Sequence, residues 1–480
     1  MSLRKKTISG MIWTFGQQFS VQFIGFFVSI ILARLLSPAE FGLIGMLSIV
    51  ITVGRNLMDS GLTSSIVRTE KADNRDFSTV FIINLIGSVI IYIIIFLIAP
   101  FIGAFYKQEI LISIIRVYSL TIIFQAFMSV QNAVLTRELN FKAMMVIQIP
   151  SVLIGGIIGI VLAYYGFGVW SLVYMYVCQS LISSMQHWIY SSWRPTWIFD
   201  KSRFKSHFNF GYKITLAGLL ESIYQNLYVI IIGKYFSATQ LGYYNRAFSL
   251  RQLPISNISA AIGKVTYPIL SSISGDDAKL RGYYQKLIQQ ITFWIAPMMI
   301  ISIILAEPLF RFLLTEKWLP AVPYFQILCI TGIIYPLQAY NYNIIKVKGR
   351  TDLTLKIQIV KKVYAIIGIF CALSFGIYGL LIFQLLAAVI DYSIDCFFSK
   401  KLIDYSISNQ LRDIAPSIFI ASVVGLMIWF LDQSVFLAYK FSDLNRLAIG
   451  MLLYFVSYLT ISHFLQLSAA KDIKELIFRR

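Results

Sequence analysis

Apolar stretches of about 20 residues recur along the chain and are separated by short polar connections. Each stretch is long enough to cross the hydrocarbon core of a bilayer as one helix. By length and apolarity the sequence predicts about fourteen spans. Their approximate positions are 9–33, 41–58, 78–105, 112–135, 144–164, 167–190, 209–232, 241–270, 287–306, 322–345, 354–375, 377–398, 414–431 and 445–468. We therefore expect an all-α polytopic membrane protein.

Two connections between apolar segments carry similar sequences about 200 residues apart. Residues 35–42 are Leu-Leu-Ser-Pro-Ala-Glu-Phe-Gly, and residues 235–242 are Tyr-Phe-Ser-Ala-Thr-Gln-Leu-Gly. A second pair recurs at a similar spacing, with Tyr-Gly-Phe-Gly at 165–168 and Phe-Gly-Ile-Tyr-Gly at 375–379. Self-similarity of this kind indicates an internal duplication. The repeats begin at the first and seventh spans, an even offset, so both halves enter the membrane in the same orientation as parallel repeats.

The duplication predicts two parallel six-helix lobes around a central cavity, with two further helices after the second lobe. In transporters built this way the substrate path lies between the repeats, near the bilayer midplane. We assign the segments as an N-terminal six-helix lobe at 1–190, a cytoplasmic linker at 191–208, a C-terminal six-helix lobe at 209–400, and two additional helices with a cytoplasmic tail at 401–480.

The linker alternates aromatic and basic side chains, which suits an amphipathic helix lying on the inner leaflet. A plain charged loop is the alternative. The alternating residues are Phe199, Phe204 and Phe208 with Lys201, Arg203 and Lys205.

Composition agrees with this architecture, because 58% of residues are hydrophobic, only 13% are charged and the mean hydropathy is +0.74. The net charge of +19 raises the possibility of a nucleic-acid partner, but its distribution favours a membrane explanation. If the N-terminus is cytoplasmic and the connections alternate, about 26 basic residues fall in cytoplasmic segments and about 7 on the opposite side. This positive-inside bias predicts that both termini are cytoplasmic and that no nucleic acid is bound. The first apolar segment is too long for a signal peptide and is expected to be a retained helix.

Cysteine and histidine positions predict neither a disulfide framework nor a metal site, since both residue types are scattered. The residues concerned are Cys178, Cys329, Cys371 and Cys396, with His187, His207 and His463. The chain also has no P-loop, HExxH motif or nucleophile elbow. We therefore expect a transporter without a cofactor, without catalytic residues and without ATP hydrolysis of its own.

Eight basic residues remain after those assigned to the connections and span ends are counted, and a charge within a span is costly and normally faces a partner or a wet cavity. They are Arg55, Arg116, Lys213, Arg246, Arg251, Lys264, Lys361 and Lys362. The three lysines at 213, 361 and 362 lie near inner ends of spans and are expected to snorkel to headgroups. Arg116 lies near an outer end.

The remaining four basic residues are candidates to line a cavity, with structural salt bridges as the alternative. Arg55 lies well inside the second span, and Arg246, Arg251 and Lys264 all belong to the eighth. Arg246 and Lys264 are eighteen residues apart, about five helical turns, so they share a face unless Pro254 bends it.

Polar stripes mark the first and seventh spans, with Thr14, Gln18 and Gln22 on one and Glu221, Gln225 and Tyr228 on the other. Their equivalent places in the two repeats favour a shared cavity, whereas interhelical hydrogen bonding is the alternative. Glu221 is the deepest acid of its span and is a candidate for ion coupling.

Two further acids, Asp391 and Asp395, share a helix face near Lys400 and Lys401. Ion pairing is their expected role.

Several segments, in this order and spacing, resemble the polysaccharide and O-antigen flippases (Wzx and colanic-acid exporters) of the multidrug/oligosaccharidyl-lipid/polysaccharide exporter superfamily. They are Thr14–Gly16, Ala33–Gly42, Thr136–Phe141, Phe210–Gly211, Leu241–Ala247 and Tyr267–Pro268. The resemblance covers nearly the whole chain.

The resemblance implies translocation of undecaprenyl-pyrophosphate-linked oligosaccharide repeat units across the bacterial inner membrane by alternating access. It also implies contact with membrane lipids and, as further partners, a polysaccharide polymerase and the chain-length machinery. In related lipid-linked precursor flippases, basic residues of the first, second and eighth spans line the cavity, whereas the first span here lacks a central Arg or Lys. Arg55, Arg246 and Arg251 fall in two of those spans, and the candidate substrate-binding residues are these three arginines and Lys264, with Gln18, Gln22 and Gln225 from the polar stripes.

Two other functions remain as alternatives at this stage. A drug or cation antiporter of the same superfamily requires acidic residues deep in the lobes, where only Glu221 is a strong candidate. An integral-membrane glycan polymerase or glycosyltransferase is expected to carry a large outward loop, and no connection in the chain is that long.

Overall fold

The structure is a computed structural model that describes residues 3–273 and 275–471. Across those residues the chain forms helices and no strand. The first ten helices are α1 Leu3–Leu35, α2 Pro38–Asp59, α3 Leu62–Arg68, α4 Asn74–Tyr106, α5 Ile110–Tyr118, α6 Leu120–Arg137, α7 Phe141–Tyr164, α8 Val169–Tyr190, α9 Lys201–Gln225 and α10 Leu227–Tyr235. The others are α11 Ala238–Ser272, α12 Asp277–Ile304, α13 Ala306–Leu314, α14 Val322–Val347, α15 Thr351–Leu373, α16 Gly376–Ile403, α17 Ile407–Leu431 and α18 Asp443–Phe464.

Ten helical segments among the described residues are long and apolar enough to cross a membrane, and the pair α9–α10, bent by 47°, is an eleventh. The expected all-α polytopic architecture is therefore confirmed. Every predicted span coincides with a helix or a helix pair, although α8, α11 and α15 are not among the segments that meet this length and apolarity criterion in the described residues. The count of fourteen spans stays a prediction.

The chain forms two compact units, Met1–Gly242 and Tyr243–Arg480. In the first unit, α9 packs against α2, α3 and α4. In the second, the last helices α17 and α18 pack with α12 around a core that includes Phe293, Tyr454 and Tyr458. The assignment of lobes to 1–190 and 209–400, with the linker between them and 401–480 after them, stays a prediction.

The duplicated connections are helix-capping turns. At the start of α2, the Glu40 carboxylate accepts hydrogen bonds from the Ser37 N–H at 2.6 Å and the Ser37 hydroxyl at 2.9 Å. At the start of α11, the Ser237 hydroxyl accepts a hydrogen bond from the Gln240 N–H at 3.2 Å. The Gln240 side-chain oxygen accepts one from the Ser237 N–H at 3.5 Å. Both turns have the Ser-x-x-Glu/Gln pattern of a capping box, which satisfies N–H groups that a helix leaves free at its N-terminus.

The glycine that ends each duplicated turn permits the two turns to touch each other in the first unit. A Cβ atom on Gly42 would lie 1.7 Å from the Ala238 carbonyl oxygen, and one on Gly242 would lie 1.9 Å from the Pro38 carbonyl oxygen. Neither position has room for a side chain. The recurrence of glycine in both repeats therefore has a packing cause.

The residues of the predicted linker fall in two parts in the structure. Residues 191–200 are not helical, and α9 runs without a break from Lys201 to Gln225. Asp200 caps α9, because its carboxylate accepts hydrogen bonds from the Ser202 hydroxyl at 2.7 Å and the Arg203 N–H at 3.2 Å. The Ser202 hydrogen bond, followed by that of the Arg203 N–H, lowers the pKa of Asp200.

The first two turns of α9 are anchored to α3 and α4 by one buried carboxylate. Asp76 accepts a hydrogen bond from Arg203 at 2.6 Å and lies 3.1 Å from Nε2 of His207. The other ring nitrogen of His207 lies 2.8 Å from the Ser65 hydroxyl. His207 is thus structural, and the basic residues of the linker do not all face lipid headgroups.

Substitution of Gly42 by Ala is expected to destabilise the protein by about 1–3 kcal/mol, because the added methyl group overpacks a backbone contact. Gly25 on α1 is the matched control, since nothing lies within 4 Å of a Cβ atom there. Thermal unfolding of the purified variants in detergent measures the difference. Equal unfolding temperatures for Gly42→Ala and Gly25→Ala would contradict the packing described for the capping turns.

Candidate functional site

Arg55 places a charged group without a counter-ion on α2 of the first unit. Its side chain is half-buried, and its Nε is buried without a hydrogen-bond partner. Within the part of the chain that the structure describes, Arg55 makes no ion pair, and its one electrostatic neighbour is the Tyr118 hydroxyl. A charge held this way in an apolar helix needs water or an anionic ligand to compensate for lost hydration.

In the second unit, α11 buries two arginines, with Arg246 8% exposed and Arg251 5% exposed. The Arg246 guanidinium carbon lies 5.4 Å from the ring centroid of Trp318. The Arg251 guanidinium carbon lies 5.4 Å from the ring centroid of Phe248 and 5.9 Å from that of Tyr335. Aromatic faces stabilise a guanidinium group but leave its net charge in place.

Arg251 resembles Arg55 in its hydrogen bonding. Its Nε is buried without a partner, and no carboxylate among the described residues pairs with it. Gly332 makes room for it, because a Cβ atom at that position would lie 3.3 Å from the Arg251 Nε. Each unit therefore holds an arginine whose charge is not neutralised by the described protein groups.

Arg116 on α5 is a third arginine whose Nε is buried without a hydrogen-bond partner. The sequence predicts it near an outer helix end. Its guanidinium carbon lies 4.1 Å from the ring centroid of Phe96. No sequence signal separates it from a snorkelling residue, because its position depends on how α5 packs against α4.

Lys264 lies on α11, but its side chain is outside the part of the chain that the structure describes. The expected common face of Arg246 and Lys264 therefore stays a prediction.

The polar stripes occur on α1 and α9 of the first unit. Gln18 is exposed and Gln22 is half-buried, and the hydrogen bond from α1 to α7 is made by the neighbouring Gln17, which donates to Gln148. On α9, Gln225 donates to the Glu221 carboxylate at 2.9 Å, so these two side chains share a helix face as their spacing predicts.

One contact brings two of the candidate elements together. Asn56, next to Arg55, donates to the Ser222 hydroxyl at 3.0 Å and so joins α2 to the part of α9 that carries Glu221 and Gln225. In the second unit, Arg246 and Arg251 share α11 but lie against different aromatic groups. A common cavity for all the predicted site residues stays a prediction.

Lys361 does not snorkel to the membrane surface, contrary to expectation. It is 4% exposed and bonds to Asp395 across α15 and α16 at 2.6 Å, with Asp391 at 4.0 Å. Asp391 also accepts hydrogen bonds from Gln338 and Tyr364. The two acids thus form an ion pair, but with Lys361 and not with Lys400 or Lys401, a choice that sequence spacing alone does not reveal.

Arg446 shows how a purely structural arginine is held. It lies buried on α18 and donates to both oxygens of Asp432, at 2.8 and 2.7 Å. Asp443 accepts a further hydrogen bond at 3.2 Å. Full pairing of this kind sets Arg446 apart from Arg55 and Arg251.

No group of three or more His, Cys, Asp or Glu residues in the described ranges is arranged to hold a metal ion.

The sequence model of a family described as "Polysaccharide biosynthesis protein" matches residues 31–323. A membrane protein from the cps region of Klebsiella pneumoniae, named as uncharacterised, is 27% identical over 429 residues, which cover 88% of this chain and 87% of that protein. The lipopolysaccharide biosynthesis protein WzxC of Escherichia coli K12 is 23% identical over 399 residues, or 82% of this chain and 81% of its own length.

Among solved structures, the lipid II flippase MurJ in an inward closed conformation has a similar fold. The TM-score is 0.73 at 16% identity, over 95% of this chain and 99% of that chain.

Removal of the Lys361 charge is expected to destabilise the protein by about 3–5 kcal/mol, because Lys361→Met leaves the buried Asp395 carboxylate unpaired. The double variant Lys361→Met/Asp395→Asn should recover part of this loss. Lys400→Met, at an exposed site, is the matched control and should change stability by less than about 0.5 kcal/mol. Thermal unfolding in detergent provides the comparison, and equal stability of Lys361→Met and Lys400→Met would refute the buried ion pair.

Proposed function

The chain belongs to the polysaccharide biosynthesis protein family within the multidrug/oligosaccharidyl-lipid/polysaccharide exporter superfamily, and we propose that it flips undecaprenyl-pyrophosphate-linked oligosaccharide repeat units across the bacterial cytoplasmic membrane. The product would serve the synthesis of a surface polysaccharide such as O-antigen, capsule or exopolysaccharide. The observation that carries this proposal is that half-buried Arg55 and buried Arg251 each have a buried Nε without a hydrogen-bond partner, and neither pairs with a carboxylate among the described residues.

The substrate chemistry explains why such arginines are needed. A pyrophosphate group cannot enter hydrocarbon bare, because burial of an unpaired charge is prohibitive. A guanidinium group stays charged at any relevant pH and holds phosphate oxygens through two parallel hydrogen bonds. A wet basic path would carry the pyrophosphate and sugar while the lipid tail stays in the bilayer.

The similarities support a transporter and not an enzyme. A relative of matching length is named for lipopolysaccharide biosynthesis, and the fold is shared with a lipid flippase. The absence of a large outward connection in the sequence weighs against a glycan polymerase or glycosyltransferase.

Alternating access is the proposed mechanism, with the two parallel repeats rocking around a site near the bilayer midplane. Arg55 of the second predicted span and the arginines of α11 occupy equivalent helices of the two repeats. In this proposal these arginines bind the pyrophosphate, together with Lys264 and the polar residues Gln18, Gln22 and Gln225. Both termini would be cytoplasmic, and a polysaccharide polymerase with its chain-length machinery would receive the product.

The membrane potential assists such a transport step. Movement of negative charge outward across an inside-negative membrane is favourable by about 2.3 kcal/mol per charge per 100 mV. A coupled ion is therefore not required for the direction of transport.

Replacement of Arg55, Arg246 or Arg251 by Lys is expected to lower glycan export. Lysine keeps the positive charge but cannot donate two parallel hydrogen bonds to one phosphate group. Replacement by Ala should lower export further. The measurement is surface glycan in a flippase-deficient strain that makes the matching lipid-linked glycan, normalised to the amount of inserted protein. Arg412→Ala is the matched control, since Arg412 is exposed on α17. Wild-type export by all three Ala variants would make these arginines structural and remove the basis of the proposal.

Glu221 is proposed to sense a cation or proton that biases lobe opening, because it is an exposed acid on α9 that accepts a hydrogen bond from Gln225. Glu221→Gln keeps the shape and hydrogen bonding but removes the charge, so the pH or sodium dependence of transport should change. Transport of lipid-linked glycan into reconstituted vesicles, measured over a range of pH and sodium concentration, tests this. Unaltered rate and ion dependence would reduce Glu221 to a hydrogen-bonding role.

A further inference from the structure

A groove with a cavity volume of about 530 Å³ runs between α15 and α16 in the second unit. The hydroxyl of Ser393 in its wall already donates to the Val389 carbonyl at 2.8 Å. The apolar part of the wall includes Ile357, Val360, Val389, Ile390, Ile394 and Phe397. Such a surface suits a hydrocarbon chain and offers little to a polar ligand.

One end of this groove is basic. Lys356 lines it, and the Lys401 ammonium lies 4.4 Å from the ring centroid of Phe397, which also lines it. Both lysines are exposed, and neither pairs with a carboxylate among the described residues.

The nearest acid along α15 does not neutralise this end. Asp352, one turn before Lys356, is held by two hydrogen bonds from Arg350, at 2.9 and 2.8 Å. The hydrogen bonds from Arg350 lower the pKa of Asp352 to about 2, so the pair is fully charged and self-contained at neutral pH.

The two lysines lie at the first turns of α15 and the last turns of α16. In the predicted topology both places are cytoplasmic, which puts the ammonium groups at the headgroup level of the inner leaflet. Basic pockets between helices on this side of a membrane attract anionic lipid headgroups.

We propose that this groove is a binding site for an anionic phospholipid of the inner leaflet. One acyl chain lies along the α15–α16 groove, and the phosphate lies between Lys356 and Lys401. The apolar wall of the groove and the two lysines near one end of it both match this amphiphile. This lipid is separate from the transported substrate, whose pyrophosphate is assigned to the arginines.

A second groove supplies an internal control. It has a volume of about 310 Å³ and lies between α2 and α4 in the first unit. Its wall is entirely apolar and includes Ile49, Val53, Leu57, Ile91, Ile95 and Ile98. With no charge in its wall, it should accept acyl chains without regard to the headgroup.

The test uses the full chain reconstituted in phosphatidylcholine vesicles that contain a minor fraction of phosphatidylglycerol with a photoactivatable diazirine in its acyl chain. Labelled peptides from α16 and from α4 are quantified by mass spectrometry. A phosphatidylcholine probe with the same diazirine is run in parallel. Lys356→Gln/Lys401→Gln removes the basic end, and Lys201→Gln/Lys205→Gln, at exposed positions of α9, is the control with the same change of charge.

The phosphatidylglycerol probe should label α16 more strongly than the phosphatidylcholine probe does, whereas both should label α4 equally. The α16 labelling should fall about fivefold for each lysine removed and should not change in the α9 control. Equal labelling of α16 by the two probes, or labelling that survives the loss of both lysines, would overturn the proposal. Displacement of the probe by a lipid-linked diphosphate oligosaccharide at low concentration would also overturn it, in favour of a site for the substrate tail.

Discussion

The cost of a charge in hydrocarbon determines which residues of this chain are structural and which are available for a ligand. A buried ion is tolerated only with a counter-ion, hydrogen bonds or water around it. Lys361 and Arg446 meet this condition through carboxylates at 2.6 to 2.8 Å. The described protein groups provide no counter-ion for Arg55 or Arg251. An anionic ligand would therefore be stabilised best at these two positions, because it would supply the missing counter-charge.

The framework that carries these residues depends on close helix contacts at small side chains. Gly42 and Gly242 let the two duplicated capping turns meet, and Gly61 and Gly211 permit a similar approach of α9 to the end of α2. Bundles in lipid rely on such contacts, because hydrocarbon tails provide no hydrophobic force between helices. Positions of this kind fix where α2, α9 and the start of α11 lie, and these helices carry most of the candidate site.

Sequence patterns predicted the helices well, because apolar length and capping residues are local properties. The Ser-x-x-Glu/Gln turns, for example, can be recognised in the sequence as a repeat, and the structure shows that both cap helices. Ion-pair partners were not predictable, since Asp395 has several lysines near it in sequence and only tertiary packing selects Lys361. The continuous α9 was also missed, because the basic pattern at 201–208 fits both a surface helix and the first turns of a longer one.

Direct binding to the purified protein tests the central claim that the unpaired arginines compensate an anionic headgroup. The comparison is between undecaprenyl pyrophosphate and the neutral alcohol undecaprenol, with wild type and Arg251→Ala measured at low and high salt. The account predicts that the pyrophosphate binds more tightly than the alcohol, and that this preference weakens with salt and with loss of Arg251. Equal affinity for the two lipids, or a preference that is unchanged in the variant, would contradict it.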